Sequence, residues 1–415
     1  MKNIKLDSIL LFALVIPFIM TYRLSSGETP YWFFGLIFLS LLSYLILDLL
    51  LLPQKIYLLF KQVILWFVII SVIGSAFVST IIVRHQTAPI YMVHDIVLQQ
   101  ESAIRFLLDG KNPYAVTYFG TPLEQWNYSS TETNPALFHF VMQPFYLLFA
   151  LPFYFLSLPT LGFFDGRMPL LFLFFLLLII AGIVVKDKEK RLLFLTILAF
   201  NPAMLGYTLE GRSDIFMFSF LFFGFFLLQK KRYLLAGIPI ALAFAVKQSV
   251  WPLMPFYIAF LYFNKQHLGG GRRTPLRWIL AMTPFILTFA IIVLPFFFWD
   301  QKAFFDSTVS YLSGSTSHSY PISGYGFSMM LYSLGVIKNL HEYYPFFLWQ
   351  LVIGIPLMIL LVIFLKRSPS VGRLMLIYGI FLFVFWYFSR YFNNSHLAYL
   401  SMVFITAYFF PVEKS

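Results

Sequence analysis

The chain lacks cysteine altogether and has few charged residues. Among its 415 residues there are no cysteines, and only 11% are Asp, Glu, Lys or Arg. Without cysteine the protein can form neither disulfide bonds nor thiolate metal sites, and it cannot use a cysteine nucleophile. Soluble domains contain about 25% charged residues, so this chain has too few to cover a surface that faces water. Hydrophobic types make up 60% of the sequence, which predicts an integral membrane protein.

Nucleotide-binding motifs are also missing. The sequence contains no P-loop, no glycine-rich dinucleotide motif and no separate soluble domain that would bind a nucleotide. This argues against a cytoplasmic transferase that uses nucleotide sugars. The formal net charge of +12 does not indicate a nucleic-acid partner, because the basic residues lie in short loops between apolar runs, as the positive-inside rule describes for membrane proteins.

Apolar runs long enough to cross a bilayer recur along the whole chain. They predict an all-α polytopic membrane protein with about twelve transmembrane helices in a single transmembrane domain, residues 1–415. The first run follows Lys2 and Lys5 but has no small-residue cleavage site, so we expect a retained helix rather than a signal peptide. The predicted spans are 7–24, 31–52, 62–83, 168–185, 191–209, 213–229, 233–247, 250–263, 275–298, 345–365, 372–388 and 395–411.

One further apolar run, 135–156, decides on which side of the membrane the loops lie. If this run does not cross, the basic residues of four loops fall on the same side as Lys2 and Lys5, as the positive-inside rule requires. Pro144 and Pro152 would also break a straight helix there. We therefore predict a re-entrant or interfacial segment, cytoplasmic termini and a multi-pass protein of the cell membrane. The four basic loops lie near 186–191, 230–232, 265–277 and 366–373.

On this topology every candidate functional residue lies on the non-cytoplasmic face. That face is formed mainly by a large outer loop with interfacial helices, 84–167, and by a second outer loop, 299–344. Short turns at 210–213, 247–249 and 389–394 complete it.

His94 and Asp95 open an amphipathic stretch in the first outer loop. Apolar residues recur at helical spacing as far as Leu108, and polar residues occupy the other face. A helix of this kind lies along the membrane surface, which would hold Asp95 at the level of the lipid headgroups. Asp95 is therefore a candidate catalytic carboxylate; the alternative is that it serves only as the N-cap of this helix.

Charged residues also interrupt the apolar helices. Arg212 and Asp214 lie in a very short turn, 210–214, where ionisable groups are costly unless they are paired or hydrated. They are predicted to line a site, the alternative being an ion pair at a helix end. Lys247 follows an apolar run on the face where basic residues are scarce. It is predicted to bind a phosphate anion, the alternative being a lysine that extends to the interface.

Two further candidates lie in the later outer segments. Arg390, in the last outer turn, is a candidate contact for phosphate or sugar. His318 lies in a loop rich in serine and glycine, 313–326, which is predicted to form a flexible lid over the substrate. The alternative for His318 is a solvated histidine without a role.

The order of these features resembles the C-type glycosyltransferase (GT-C) fold. More narrowly, it is similar to the bacterial integral-membrane mannosyltransferases that use a polyprenyl-phosphate sugar. Two features depart from the family pattern: Arg212 stands where members usually have glutamine, and more than one span precedes the catalytic loop. The segments that carry the resemblance are Asp95, Asp109–Tyr114, Asn134–Pro135, Glu210–Asp214 and Ala236–Pro252, which includes Lys247.

The resemblance implies a mechanism. A carboxylate in the first outer loop, here Asp95, would act as general base on an acceptor hydroxyl that attacks the anomeric carbon with inversion. Lys247, with Arg390 or Arg212, would stabilise the leaving polyprenyl phosphate. The implied partners are a polyprenyl-phosphate sugar donor, with mannose or another hexose, a lipid or glycan acceptor, and the membrane lipid.

The other candidates, His94, Asp214 and His318, are expected to contact substrate. His94 and Asp95 could also supply half of an oxygen–nitrogen metal site. The resemblance points the other way, because family members with such donors generally work without a cation. We therefore expect neither a metal nor a cofactor.

Three other functions are alternatives. A transporter or flippase of lipid-linked sugars usually shows internal repeats and charges at the membrane midplane, whereas here no repeat is evident and the charges gather at one face. An O-antigen-type polymerase or ligase usually carries its large outer loop late in the chain, and here the longest loop comes early. A protein O-mannosyltransferase or an aminoarabinose-type transferase shares the fold.

Overall fold

The computed structural model describes residues 4–21, 30–129, 131–264 and 277–410. Within these ranges nearly all regular structure is helical, and the strands amount to one short parallel pair, β1 (Ser323–Gly324) and β2 (Tyr391–Phe392). The prediction of an all-α protein is therefore confirmed. Residues 265–276, which form most of the third predicted basic loop, lie outside the described residues.

The helices differ widely in length. Short 3-10 turns occur at Pro122–Gln125, Pro135–Leu137 and Gln248–Leu253. In chain order the helices are α1 (Leu6–Thr21), α2 (Tyr31–Leu47), α3 (Gln54–Thr87), α4 (Asp95–Leu108), α5 (Phe145–Leu148), α6 (Leu151–Leu161), α7 (Arg167–Val184), α8 (Lys188–Ala199), α9 (Leu205–Leu209), α10 (Asp214–Gln229), α11 (Tyr233–Phe244), α12 (Met254–Phe263), α13 (Arg277–Trp299), α14 (Gln301–Phe305), α15 (Tyr311–Ser313), α16 (Phe327–Ser333), α17 (Phe346–Arg367), α18 (Val371–Tyr387) and α19 (Asn394–Phe409).

Four helices in the described ranges are long and apolar enough to cross a membrane by themselves: α3, α7, α13 and α17. Six shorter apolar helices accompany them, including α1, α2, α10, α11 and α18. A bilayer core about 30 Å thick needs roughly 20 helical residues. The structure therefore supports a helical membrane protein, while the number of twelve crossings stays a prediction.

The predicted span 191–209 is interrupted, as its polar residues suggest. Helix α8 ends at Ala199, and the side chain of Asn201 then accepts hydrogen bonds from two backbone N–H groups beyond Pro202. Proline cannot continue the helix, so the chain resumes as the separate short helix α9. The next predicted pair, 233–247 and 250–263, is likewise divided by the 3-10 turn Gln248–Leu253.

The chain contacts the same helix before and after most of the segment 135–156. Near its start, the Gln99 side chain of α4 donates hydrogen bonds to the carbonyl oxygens of Ala136 and His139, at 2.6 and 2.8 Å. Beyond its end, the backbone N–H of Gly166 donates to the Glu101 carboxylate of α4 at 3.0 Å. The chain therefore leaves α4 near His139 and is back at α4 by Gly166, as expected if the segment between them turns back instead of crossing.

A cluster of buried charge lies near the start of α3. Lys61 is fully buried, and its Nζ lies 2.7 Å from Oδ2 of Asp7 and 3.0 Å from Oδ1 of Asp48. The hydroxyls of Tyr44 and Tyr57 donate to the same two carboxylates. Since unpaired charges are costly inside a membrane protein, this Lys61 cluster joins α1, the end of α2 and α3 through groups that have to stay paired.

A second cluster lies near the other end of α3. The Arg84 guanidinium donates to both oxygens of Glu101 in α4 and to Oδ2 of Asp165, each at 2.8 Å. Arg167, the first residue of α7, also contacts Asp165 at 2.8 Å. This Arg84 cluster therefore fastens α4 to the ends of the two long helices α3 and α7.

The polar segments gather at the two ends of the helix bundle. At one end, Ser307 donates to the carbonyl oxygen of Tyr114, which joins the two predicted outer loops. At the opposite end, Lys5 and Gln54 both contact Glu189, at 3.4 and 3.1 Å. The N-terminal segment and the basic loop 186–191 therefore lie together, away from the candidate site.

Candidate functional site

Helix α4 begins where the first outer loop meets the turn 210–214. The backbone N–H of His94 donates to the carbonyl oxygen of Glu210 at 2.8 Å, which fixes the start of the helix against this turn. His94 is the N-cap, and Asp95 is the first helical residue. The alternative of Asp95 as the N-cap therefore does not describe the structure.

The Asp95 carboxylate is paired with its neighbour. Its Oδ1 lies 2.6 Å from Nδ1 of His94, and its side chain is 18% exposed. Burial alone would raise the pKa of Asp95, but the His94 ring, the N–H of Ile96 and the charge of Arg212 together hold that pKa below its usual range. Asp95 is therefore ionised at neutral pH, as a general base has to be.

The turn 210–214 depends on a glycine. Gly211 has φ +89°, a conformation that side chains rarely adopt. A Cβ atom at this position would collide with Val97 of α4 and lie 2.9 Å from Cγ of Arg167. The close approach explains how a turn between two apolar helices reaches the start of α4.

The charged residues around this glycine have partners of different kinds. Nε of Arg212 lies 3.2 Å from Oε2 of Glu210, and its guanidinium lies 4.2 Å from the centre of the Tyr207 ring. Asp214 begins α10, and its Oδ1 lies 2.8 Å from Nζ of Lys247. Of the ion pairs that the sequence left open at this turn, the one between Arg212 and Glu210 is present, whereas Asp214 pairs with Lys247. Arg212, Asp214 and Lys247 also line a cavity.

Lys247 is held in place by the returning segment of the first outer loop. The backbone N–H groups of Gln143 and Phe145 donate to the carbonyl oxygens of Val246 and Ala245, at 3.0 and 2.9 Å. Gln248 extends this connection by donating to carbonyl oxygens in both predicted outer loops. The polar end of α11 is thus enclosed by the segment predicted to be re-entrant.

These residues line one cavity of about 210 Å³, which we call the reaction cavity. His94 and Asp95 come from α4, Arg212 and Asp214 from the turn before α10, and Lys247 from the end of α11. Five of the seven candidate residues that the sequence indicates are thereby brought together from three separate parts of the chain. Further polar and aromatic lining residues are Gln99, Trp126, Tyr128, His139, Gln248, Tyr311, Tyr320, Tyr391, Asn393 and His396.

Several of these further residues escaped the sequence reasoning. Tyr391 and Asn393 belong to the polar turn before α19, in which only Arg390 is a predicted contact, and His396 lies in the first turn of α19. The signal available in the sequence was that these three polar or aromatic residues lie close together at the predicted start of a helix. Tyr311 and Tyr320 come from the second outer loop, and no pattern in the sequence sets them apart from the many aromatic residues around them.

The tyrosines contribute neutral hydroxyls. Burial raises the pKa of Tyr128 to about 12 and also raises the pKa values of Tyr311 and Tyr320. All three therefore keep their protons at neutral pH and can donate hydrogen bonds. The buried side-chain oxygens of Gln99 and Gln248, two residues that line this cavity, have no hydrogen-bond partner within the described ranges.

A larger groove of about 550 Å³ adjoins the reaction cavity. The two share Gln248, Ser249, Leu312, Tyr391 and His396. Away from this junction the groove is lined mainly by apolar and aromatic residues. These are Trp251, Pro252, Pro255, Tyr343, Tyr344, Phe346, Phe347, Phe381, Phe385 and Trp386.

Two predicted contacts lie outside the reaction cavity. Arg390 is 3% exposed and lines the larger groove, but its guanidinium donates to the carbonyl oxygens of Tyr320, Leu340 and Glu342. Its donors thus hold the second outer loop together. The exposed ring of His318 stacks on Phe138 with ring centres 3.6 Å apart, so His318 is neither a free lid residue nor a contact of the cavity.

Within the described part of the chain, no group of three or more His, Asp or Glu side chains is arranged to hold a metal ion.

Comparisons with known proteins give no match: neither a protein family, nor a curated protein, nor a solved structure resembles this chain closely enough to be identified.

Proposed function

We propose that the protein is an inverting glycosyltransferase that moves a hexose from a polyprenyl-phosphate donor to an acceptor on the non-cytoplasmic face of the membrane. The observation that carries this proposal is the convergence of Asp95, Asp214 and Lys247 on one cavity that continues into an apolar groove. An isolated ion pair at a helix end would not require such a groove. A lipid-linked anionic substrate requires both features, side by side.

Asp95 is the proposed general base. It accepts the proton of the acceptor hydroxyl while the hydroxyl oxygen forms a bond to the anomeric carbon of the sugar. The bond between that carbon and the phosphate oxygen breaks, and polyprenyl phosphate leaves with the electron pair. One displacement inverts the anomeric centre, and no general acid is required because phosphate leaves without a proton. A positioned base of this kind contributes about 10²–10⁴-fold to a rate.

Lys247 and Arg212 are the proposed phosphate contacts. The lysine ammonium has three donors, and one of them is used on Asp214. Its side chain is 25% exposed, and that of Arg212 is 28% exposed, so both remain accessible to a ligand in the cavity. Preorganised positive charge at a leaving phosphate contributes most where water is excluded. The pairing with Asp214 would hold the ammonium in place before the donor binds.

The apolar groove is the proposed site of the polyprenyl chain. Its aromatic and proline lining provides surface that an isoprenoid can cover, and burial of apolar surface contributes about 25 cal/mol per Å². Gln248, Ser249 and Leu312 lie where the groove meets the reaction cavity. A donor that occupies both would place its phosphate near this junction.

The direct test is transfer of radiolabelled mannose from polyprenyl-phosphate mannose in membranes that contain the protein or its variants. We expect Asp95→Asn to lower the rate about 10²–10⁴-fold, while equilibrium binding of the donor to the purified variant is retained. Asp300→Asn is a matched control, because Asp300 caps α14 and asparagine caps equally well. Undiminished transfer by Asp95→Asn would remove the proposed base.

A further inference from the structure

A second groove lies beside the reaction cavity, on the side of the first outer loop. It has a volume of about 420 Å³ and is formed by residues between Phe119 and Leu137. Trp126 and Tyr128 line both this groove and the reaction cavity, so the two are adjacent. The mechanism described above makes no use of it. Its lining residues are Phe119, Glu124, Gln125, Trp126, Asn127, Tyr128, Ser129, Glu132, Thr133, Asn134 and Leu137.

The lining differs in chemistry from that of the apolar groove. Most of the side chains are carboxylates, amides and hydroxyls, together with three aromatic rings. Among the described residues that line it, none is Lys or Arg. Carboxylates and amides bind hydroxyl groups well, whereas two carboxylates without a basic neighbour in the lining disfavour an anion. The lining thus suits a hydroxyl-rich, uncharged ligand.

Glu124 and Glu132 can each accept a hydrogen bond from a ligand. Glu124 uses its Oε2 to accept from the N–H of Gly120 at 2.8 Å, and Glu132 uses its Oε1 to contact His341 at 3.2 Å. Each carboxylate therefore has a second oxygen outside these contacts. Both residues are exposed at the groove surface, so a ligand can reach them from water.

An unpaired amide provides an independent sign of a ligand. Asn134 lines the groove and is only 5% exposed. Its Oδ1 accepts from the backbone N–H of Ala136, but its Nδ2 has no hydrogen-bond partner within the described ranges. A buried donor without a partner costs about 1–3 kcal/mol, and a ligand oxygen in the groove would satisfy it after a small movement of the amide.

Trp126 connects this groove to the proposed base. Its Nε1 donates to the carbonyl oxygen of Val93 at 2.9 Å, and its ring centre lies 5.8 Å from that of His94. The indole is therefore fixed directly beside the pair His94–Asp95. A molecule that lies along the groove over Trp126 would bring one end to the Asp95 carboxylate.

We propose that this second groove, which we call the acceptor groove, binds the acceptor of the reaction. The acceptor is the end of a neutral glycan that enters from water. The inference rests on the proposed function, since it assigns the second substrate of the same site. It separates two acceptor classes that the sequence leaves open. A neutral glycan fits the lining, and a phosphorylated lipid headgroup does not.

The test uses the full-length protein in detergent and saturation-transfer NMR with neutral tetrasaccharides of mannose, glucose and galactose as probes. The comparison compound is each tetrasaccharide carrying one phosphate. We expect at least one neutral probe to bind, and its phosphorylated form to bind more weakly. In the double variant Glu124→Gln/Glu132→Gln we expect the Kd of that probe to rise about tenfold, the effect of losing one hydrogen bond to a charged group.

Glu342→Gln is the matched control, because this glutamate lies in the second outer loop and lines none of the three cavities. Binding by none of the neutral probes, or equal binding by the double variant and the parent, would overturn the acceptor groove. So would tighter binding of the phosphorylated probes. A parent protein that binds neutral probes but transfers no mannose from polyprenyl-phosphate mannose would contradict the proposed donor chemistry instead.

Discussion

Nζ of Lys247 lies 2.8 Å from Oδ1 of Asp214, although 33 residues separate the two in the chain. The Asp214 side chain is 8% exposed, so it depends on this partner for its charge. The pair joins the start of α10 to the end of α11 inside the reaction cavity. It therefore belongs both to the fold and to the proposed chemistry, and mutations can separate these two roles.

Removal of Lys247 alone should be more damaging to stability than removal of both charges. Lys247→Met leaves a buried carboxylate without its partner, and breaking such a pair costs several kcal/mol when it is fully buried. Because the lysine is partly exposed, we expect a loss of about 2 kcal/mol, most of which Lys247→Met/Asp214→Asn should restore. Thermal unfolding in detergent measures the stability of the parent and of both variants. Transfer should stay low in the double variant; additive losses of stability would show that the two residues do not interact.

The pH dependence of transfer should identify the base. The neighbours of Asp95 hold its pKa below the ordinary value of about 3.9. The active form is the carboxylate, so the rate should be level above about pH 5 and should fall only as the pH drops through a value below about 4. Initial rates at saturating donor provide the profile. A fall that begins near neutral pH would assign the rate-limiting proton transfer to a histidine instead.

Gly211 offers a sharp test of how α4 is positioned. Gly211→Ala adds a methyl group that would collide with Val97, in addition to the strain of a positive φ. Gly335→Ala introduces similar strain at φ +74° in open space. We expect Gly335→Ala to cost about 1 kcal/mol of stability, whereas Gly211→Ala should cost more and should also lower transfer by displacing Asp95. Equal effects of the two variants would contradict this account.

The absence of cysteine allows a clean test of sidedness. Asn127 and Lys188 are both exposed, at opposite ends of the helix bundle. With an impermeant thiol reagent, we expect Asn127→Cys to be labelled in intact cells and Lys188→Cys only after the membrane is permeabilised. Labelling of Lys188→Cys in intact cells would mean that 135–156 crosses the membrane and that the predicted orientation is wrong.

Asp165 should be essential for stability without taking part in transfer. It is fully buried, and Arg167 and Arg84 hold its pKa well below the usual range in spite of burial. The ionised Asp165 carboxylate therefore stabilises the folded state fully above its ordinary pKa, and this stabilisation is lost as the pH falls through the lowered pKa. We expect Asp165→Asn to cost about 3–5 kcal/mol in thermal unfolding. Asp300→Asn again serves as the control, and similar melting temperatures for both variants would contradict the expectation.

The sequence predicts those site residues that are unusual where they stand. Asp95, Arg212, Asp214 and Lys247 are conspicuous because ionisable groups beside apolar helices need a reason, and all four line the reaction cavity. The interruption at Asn201 was predictable for a different reason, because the proline that follows it cannot continue a helix.

Other features depend on distant contacts and could not be predicted. Arg390 is as conspicuous in the sequence as Lys247, but its guanidinium binds three backbone carbonyls of a loop whose path no local pattern reveals. His318 stacks on Phe138, a residue 180 positions earlier. The acceptor groove escaped notice because its residues are ordinary for a loop and acquire meaning only through their arrangement around Trp126.

The long helix α3 carries a buried cation near each of its ends. Lys61 and Arg84 are 23 residues apart in the sequence, which corresponds to about 35 Å along a helix. This separation is close to the thickness of the hydrocarbon layer, about 30 Å. Each cation is neutralised by carboxylates from other parts of the chain, so we expect the two clusters to lie near the depths at which the protein meets the headgroups. We expect insertion of one helical turn between them to force a charged cluster into hydrocarbon or to thicken the bilayer locally, and to move Asp95 away from its predicted level at the lipid headgroups.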